Sequence, residues 1–401
     1  MVVIGAGECG VRAALALREN GFDGPMTLLG EERHAPYERP PMSKDLMLAE
    51  KPLPPKTIAS AGQLAALRIA FLPDTAVSSI EIDRQEIVTG NATIPYDRLL
   101  LATGARPRRI DGATGPRIVV LRTYDDALHI RSSLHGREGV VIVGGGFIGL
   151  EVAAAGRRLG ADITVVEALP RLLARGVPEA LAAALEARHR AEGVRFHLGA
   201  SIARFGEDRV VLSDGTTIPA DLIIVGIGSL PATGLAMTAG LAIDNGIAVD
   251  NRLRTSHPNV FAAGDCCSFP LDLYGGRRVR LESWRNAQEQ GTLAARNMLG
   301  ADEPVSAVPW FWSDQYDLVL QIAGLPDEGR SIVARDIEAG RILFHLAADG
   351  RLVAASGLGM GNTVARDIRL AEMLIARRAR PKPQALASPQ VSLKALLRED
   401  A

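Results

Sequence analysis

The chain carries one short design twice. Near its start, VVIGAGECGVRAALALRENG sets a β-branched run before Gly5-x-Gly7-x-x-Gly10. Val11, Ala14, Leu15 and Leu17 then keep helical spacing, and Gly21 supplies a stop. The next apolar run, MTLLGEE, ends at Glu31, 21 positions after Gly10. In the middle of the chain GVVIVGGGFIGLEVAAAGRRLGADITVVE repeats this with Gly144, Gly146 and Gly149, and with Glu167 18 positions after Gly149. A lone GxGxxG often has only a packing reason. A strand before it, a helix after it and an acid about twenty residues on complete the context of a dinucleotide fingerprint. The glycines let the backbone approach a pyrophosphate, the helix N-terminus attracts its charge, and the carboxylate accepts ribose hydroxyls. A second parallel runs through YDRLLLATGARP (96–107) and PADLIIVGIGSLP (219–231), each an apolar strand entering a glycine turn and a proline. The spacing predicts two dinucleotide-binding units, hence two cofactors.

NVFAAGDCC (259–267) reads as another apolar strand, ending at Gly264-Asp265. Beyond it the pattern changes. PWFWSDQYDLVLQIAG (309–324) concentrates aromatics, RILFHLAADGRLVAASG alternates as antiparallel strands do, and 362–379 has an amphipathic helical period. PKPQALASP reads as an exposed tail linker. The last hundred residues therefore predict an α+β domain without a nucleotide fingerprint.

At 401 residues the chain has room for two or three domains. A net charge of −1 favours neither nucleic acid nor an anionic membrane. No apolar run reaches about 18 residues, so no membrane-spanning helix is expected. The opening MVVIGAG has neither a basic stretch nor a long apolar core, so no secretory signal is expected either. Three cysteines, Cys9, Cys266 and Cys267, cannot build a disulfide framework and point to the cytoplasm. Adjacent Cys266 and Cys267 are poor partners for each other and read as small buried residues. Seven histidines show no paired-ligand spacing, so no metal is expected.

Taken as residues alone, several positions have two readings. Glu167 can bond a ribose 2′-hydroxyl and repel a 2′-phosphate, selecting NADH, or be a solvated strand-end acid; Arg175 nearby can accept the phosphate instead. Lys44 fits a surface lysine, although lysine makes up only 5 of the 45 basic residues. Glu151 fits a first-turn acid complementing a helix dipole. Trp284 and Trp312 fit either core or a ring-stacking site. Asp265 fits a cofactor ligand or the N-cap of the next helix.

Seven segments together resemble a family: VVIGAGECG, YERPPMSK, LLLATGARP, VVIVGGGFIGLEVAA, FAAGDC, RLESWRNAQEQG and PWFWSDQY. Their order and spacing resemble the FAD-dependent, NADH-oxidising ferredoxin reductases that serve Rieske oxygenases and bacterial cytochromes P450. The resemblance implies an α/β fold with two Rossmann-like, glutathione-reductase-like domains and a C-terminal α+β domain. The FAD domain would be discontinuous (1–108 and 229–303), with the NAD domain at 109–228 and the C-terminal domain at 304–401. It also implies a few more residues before the first strand than this chain has. FAD would be held by Gly5, Gly7, Cys9, Gly10, Glu31, Arg39, Lys44, Val77, Arg106, Arg122, Asp265, Glu282, Trp284 and Trp312. NADH would be held by Gly146, Ile148, Gly149, Glu151, Glu167, Arg175 and Gly228. Lys44 and Glu151 would meet beside the flavin N5 as the catalytic pair.

So placed, the chain would take hydride from NADH and pass single electrons to a [2Fe–2S] ferredoxin, as a monomer or homodimer. GGRRVR (275–280) and Arg366, Arg369, Arg377, Arg378 and Arg380 are candidates for a basic ferredoxin-docking face, and equally for solvated arginines. Rival readings are a rubredoxin reductase, an NADH oxidase or peroxidase, and a binding flavoprotein like apoptosis-inducing factor. PYERPPMSKDL (36–46) sharpens the choice. Disulfide reductases of the two-nucleotide design carry a redox-active cysteine pair in the corresponding helix. Here prolines stiffen the loop and Lys44 stands there instead of sulfur.

Overall fold

A computed structural model describes residues 1–90 and 92–399. The chain divides into two compact units. The first comprises 1–38, 55–106 and 230–307; the second comprises 39–54, 107–229 and 308–401.

In the first unit the fingerprint strand Val2–Ile4 is the centre of a parallel sheet ordered Val260–Ala262, Leu99–Leu101, Val2–Ile4, Thr27–Leu29 and Ala70–Leu72. All three residues of Val2–Ile4 and of Leu99–Leu101 are buried, as strands covered on both faces must be. The helix Glu8–Glu19 follows the fingerprint and packs on the helix Trp284–Met298. A Cβ at Gly291 would lie 2.4 Å from the Cys9 carbonyl oxygen, so only glycine allows this approach. Antiparallel strands Val77–Glu81, Glu86–Thr89 and Thr93–Pro95 form a separate small sheet.

The second unit repeats the parallel sheet around Val140–Val143, flanked by Ile163–Glu167 and Leu222–Val225, with Arg195–Leu198 and Ile118–Val120 outermost. In both sheets the strand leading to the fingerprint acid pairs on one side, and the strand entering the glycine-proline turn pairs on the other. The aromatic-rich segment forms Trp310–Gln315 and Leu318–Gly324, the first hairpin of a five-stranded antiparallel sheet. That sheet and the fingerprint helix Phe147–Arg158 share one core, in which Leu150, Leu172 and Leu181 meet Leu320, Ile322 and Leu358. The Phe147 and Phe311 rings meet edge-on at 4.6 Å.

The expected amphipathic helix is Ala365–Ala376. The expected tail linker is not one. Pro383–Ala387 is a short helix, Leu386 is fully buried, and the buried Arg335 guanidinium donates to the carbonyls of Leu386 (2.7 Å) and Ala385 (2.9 Å). Proline-rich composition signals a loop, but one buried arginine seeking acceptors holds this segment down.

Two fully buried histidines make the second unit acid-sensitive. His189 lies between Gln315 (2.8 Å) and the Tyr316 hydroxyl (3.2 Å), and His345 beside the Ser356 hydroxyl (3.1 Å). Burial holds both imidazoles down at about 4. Both are neutral in either state above about 6.5, where their contribution to stability is fully present. As pH falls from there toward about 4, the unfolded chain takes up protons that the folded chain refuses. Denaturation midpoints should therefore drop across that window, with a loss of up to about 3 kcal/mol per histidine. The double variant His189→Gln, His345→Gln should flatten the profile.

Candidate functional site

The two fingerprints have the same division of labour among their glycines. A Cβ at Gly5 would lie 2.2 Å from the Ala102 oxygen, and one at Gly10 1.9 Å from the Gly5 oxygen. Gly144 and Gly149 repeat this at 2.4 Å from the Gly226 oxygen and 2.3 Å from the Gly144 oxygen. These outer glycines are fixed by packing. The middle ones are not: Cβ atoms at Gly7 and Gly146 would meet nothing within 4 Å. Both are the N-cap of a twelve-residue helix, and no side chain caps either helix. Open space before uncapped amides, where any side chain would intrude, fits a pyrophosphate. The residues thus fit two dinucleotides.

Around the first fingerprint, Cys9 is buried and Glu31 is exposed with Arg106 at 3.4 Å. Val77 opens its strand and is half-buried. Glu282 is exposed and pairs with Arg280. The Trp284 indole donates to Glu8 (2.9 Å), as does Gln288 (2.8 Å), against a burial that pushes the Glu8 carboxyl up. Asp265 lies within the short turn Gly264–Cys266 and does not cap the next long helix, which Ser283 caps. Gln290, unremarked in the sequence, accepts the Gly264 amide at 2.7 Å and so braces that turn. The thiols of Cys266 and Cys267 are buried and pushed up by burial, donating to Ala263 (3.3 Å) and Gln290 (3.4 Å).

The second unit holds Gly146, Ile148, Gly149, Glu151, Glu167, Arg175 and Gly228, and with them Arg39, Lys44, Arg122 and Trp312. Ile148 is 49% exposed at the mouth of its fingerprint, and Arg175 is exposed. Glu167 is oriented by two backbone amides, Gly145 and Leu169, each at 2.7 Å from one carboxylate oxygen. Gly228 has φ +100°, and its carbonyl accepts the Arg108 amide (2.9 Å). The Arg39 guanidinium donates to the Arg122 carbonyl.

Glu151 departs from the first-turn reading. It is the fifth residue of the helix Phe147–Arg158 and is buried. Ser43 donates to its Oε2 (2.5 Å) and Ser313 to its Oε1 (2.6 Å), while Lys44 Nζ stands 3.7 Å away. Burial pushes the Glu151 carboxyl up, against the opposing pull of Lys44 and the two hydroxyls. Lys44 bonds a different carboxylate, Asp314, at 2.6 Å. It also lies 4.9 Å from the Trp312 ring centre, and the indole N–H donates to the same Asp314 oxygen (2.9 Å). Ser43, Ser313 and Asp314 were not singled out from the sequence. Their signal was present: SDQ interrupts an aromatic strand, and Ser43 adjoins the one conspicuous lysine.

Residues 1–291 match the family described as pyridine nucleotide-disulphide oxidoreductase, and 310–397 match the reductase C-terminal domain. The ferredoxin--NAD(+) reductase component of the anthranilate 1,2-dioxygenase system of Burkholderia cepacia is 42% identical over 405 residues, spanning 99% of this chain and 98% of that one. A rubredoxin-NAD(+) reductase of Pseudomonas putida is 37% identical over 374 residues, 90% of this chain and 96% of that one. The crystal structure of the covalent putidaredoxin reductase–putidaredoxin complex superposes with TM-score 0.94 at 34% identity, over 100% of this chain and 98% of that one. Two uncapped fingerprints define a two-nucleotide fold, and the chain belongs to the pyridine nucleotide-disulphide oxidoreductase family. Within it, this is an FAD-dependent enzyme that uses NAD(H), of the ferredoxin reductase kind. No helix among the described residues is long and apolar enough to cross a membrane.

Removing one serine hydroxyl leaves the buried carboxylate short of a donor, which costs about 1–3 kcal/mol. Ser43→Ala and Ser313→Ala should each lower stability by that amount in chemical denaturation. The two losses should not simply add, because Lys44 can close on Glu151 once a hydroxyl is gone.

Proposed function

We propose that this chain oxidises NADH and hands the electrons singly to a small ferredoxin of the [2Fe–2S] type, which supplies an oxygenase or cytochrome P450. It does so in the cytoplasm, as a monomer or homodimer. The observation that carries the reading is Lys44: where a disulfide reductase carries a redox dithiol in the corresponding helix, the junction of Pro40–Ser43 and Asp45–Leu48 presents an ammonium between two carboxylates. Bound FAD supplies the acceptor for a two-electron transfer from NADH and a carrier that can give up electrons one at a time.

The chain's residues divide the work. Gly5, Gly7, Cys9 and Gly10 form the FAD pyrophosphate turn, Glu31 takes the adenosine ribose, and Asp265 the ribityl chain. Arg39, Val77, Arg106, Arg122, Glu282, Trp284 and Trp312 complete that site. Gly146, Ile148, Gly149, Arg175 and Gly228 hold NADH. Lys44 places positive charge where negative charge develops, with Glu151 as its catalytic partner. By cofactor the chain then has three domains: 1–108 with 229–303 for FAD, 109–228 for NAD, and 304–401 at the C-terminus. The rubredoxin-NAD(+) reductase relative supports a second reading, rubredoxin as the acceptor.

Purified holoprotein should reduce cytochrome c with NADH many times faster when a [2Fe–2S] ferredoxin is added. A main flux to peroxide or water without ferredoxin overturns the proposal, and faster transfer to rubredoxin selects the second reading. Glu167 should set the choice of nicotinamide. Glu167→Gln should narrow the ratio of kcat/KM for NADH over NADPH by about tenfold or more. An unchanged ratio returns Glu167 to the role of bracing Gly145 and Leu169.

A further inference from the structure

The proposed catalytic pair, Lys44 and Glu151, is not the tightest contact of either member. Both Glu151 oxygens accept serine hydroxyls, so the lysine acts on that carboxylate through charge and not through a hydrogen bond. The ammonium stands 3.7 Å from Glu151, beyond hydrogen-bond reach, and 2.6 Å from Asp314. The same Asp314 oxygen accepts the Trp312 indole N–H, and the ammonium lies over that indole. Trp310 stacks on Trp312 with ring centres 5.4 Å apart. Ammonium, indole and carboxylate thus form one set, built on alternate residues of the strand Trp310–Gln315, which present the same face. The lysine side chain is 16% exposed, Glu151 9% and Asp314 42%. Lys44 therefore sits between an inner carboxylate that it steadies across a gap and an outer one that it bonds.

We propose that Asp314 is the positioning residue for Lys44: it draws the ammonium away from Glu151 onto the Trp312 edge, and its charge tempers the positive field that Lys44 applies to the flavin. The proposal rests on the placement of Lys44 beside FAD given above. With Asp314 neutral, the cation keeps one carboxylate in place of two, and the added electrons of the flavin become easier to hold. The flavin potential should then move positive. Removing Lys44 should move it negative.

The test is the two-electron midpoint potential of bound FAD, titrated spectroscopically in wild type, Asp314→Asn, Asp314→Glu and Lys44→Met, each with flavin content and circular dichroism recorded. Asp314→Asn should favour reduction by about tenfold, a positive shift of roughly 30 mV for two electrons. Asp314→Glu, which keeps the charge, should stay within threefold of wild type. Asp314→Ser is a second neutral variant should the asparagine protein fail to retain flavin. A Lys44→Met shift with none in Asp314→Asn overturns the role of Asp314 and leaves the placement of Lys44 standing. No shift in either overturns the placement itself. Equal shifts in Asp314→Asn and Asp314→Glu show that shape rather than charge is at work, and also overturn the proposal.

Discussion

A carboxylate has been taken out of water at Glu151, and the second unit is organised around keeping it there. An ionised group in an apolar interior is tolerated only with hydrogen bonds to its charged form. Here they come from residues 43 and 313, which are far apart in the chain and must both reach the same helix. The shared core of Leu150, Leu172 and Leu181 with Leu320 and Ile322 supplies the apolar burial that brings the C-terminal sheet over that helix. Strand alternation does the rest. Ser313 points inward to Glu151, while Trp312 and Asp314 lie on the open face with Lys44. A slip of one residue against Leu318–Gly324 would turn the indole toward the buried carboxylate and the serine toward solvent. His189 holds the hairpin end, bonding Gln315 and Tyr316, so the register is anchored at the turn as well as in the ladder.

The doubled parallel sheet was legible because it depends on local chemistry. A strand, a backbone approach too close for a Cβ and a helix start all lie within a dozen residues of one another. Gly10 lies against Gly5 and Gly149 against Gly144 within that span, whereas Gly5 and Gly144 are fixed by Ala102 and Gly226 far along the chain. The fingerprint acids were equally legible, since strand order in such a unit carries the second strand beside the first. The pairing of Lys44 with Glu151 was expected only through family resemblance.

The illegible parts depend on contacts between residues far apart in sequence. No period in the chain says that residue 44 will prefer residue 314 to residue 151, because the choice is made by strand register and by two serines. The tail illustrates the same limit. Composition favours a linker at PKPQALASP, yet Arg335, 50 residues upstream of Ala385, converts it into a docked turn. At Asp265 the structure removes only the capping alternative, because a turn of three residues intervenes before the next long helix.

The family is described by disulphide chemistry, and the cysteines of this chain argue against a dithiol relay. Cys266 and Cys267 are neighbours, and their thiols are buried, raised by that burial and donating to acceptors within the first unit. A thiol kept protonated is a poor nucleophile and forms the electron-accepting disulfide slowly. Cys9 is likewise buried and raised, inside the phosphate turn, where a small side chain is what the packing admits. The segment 36–46 contains no sulfur but Met42, and its lysine is bonded to Asp314. A dithiol relay needs thiols that ionise readily, and burial raises all three cysteines of this chain.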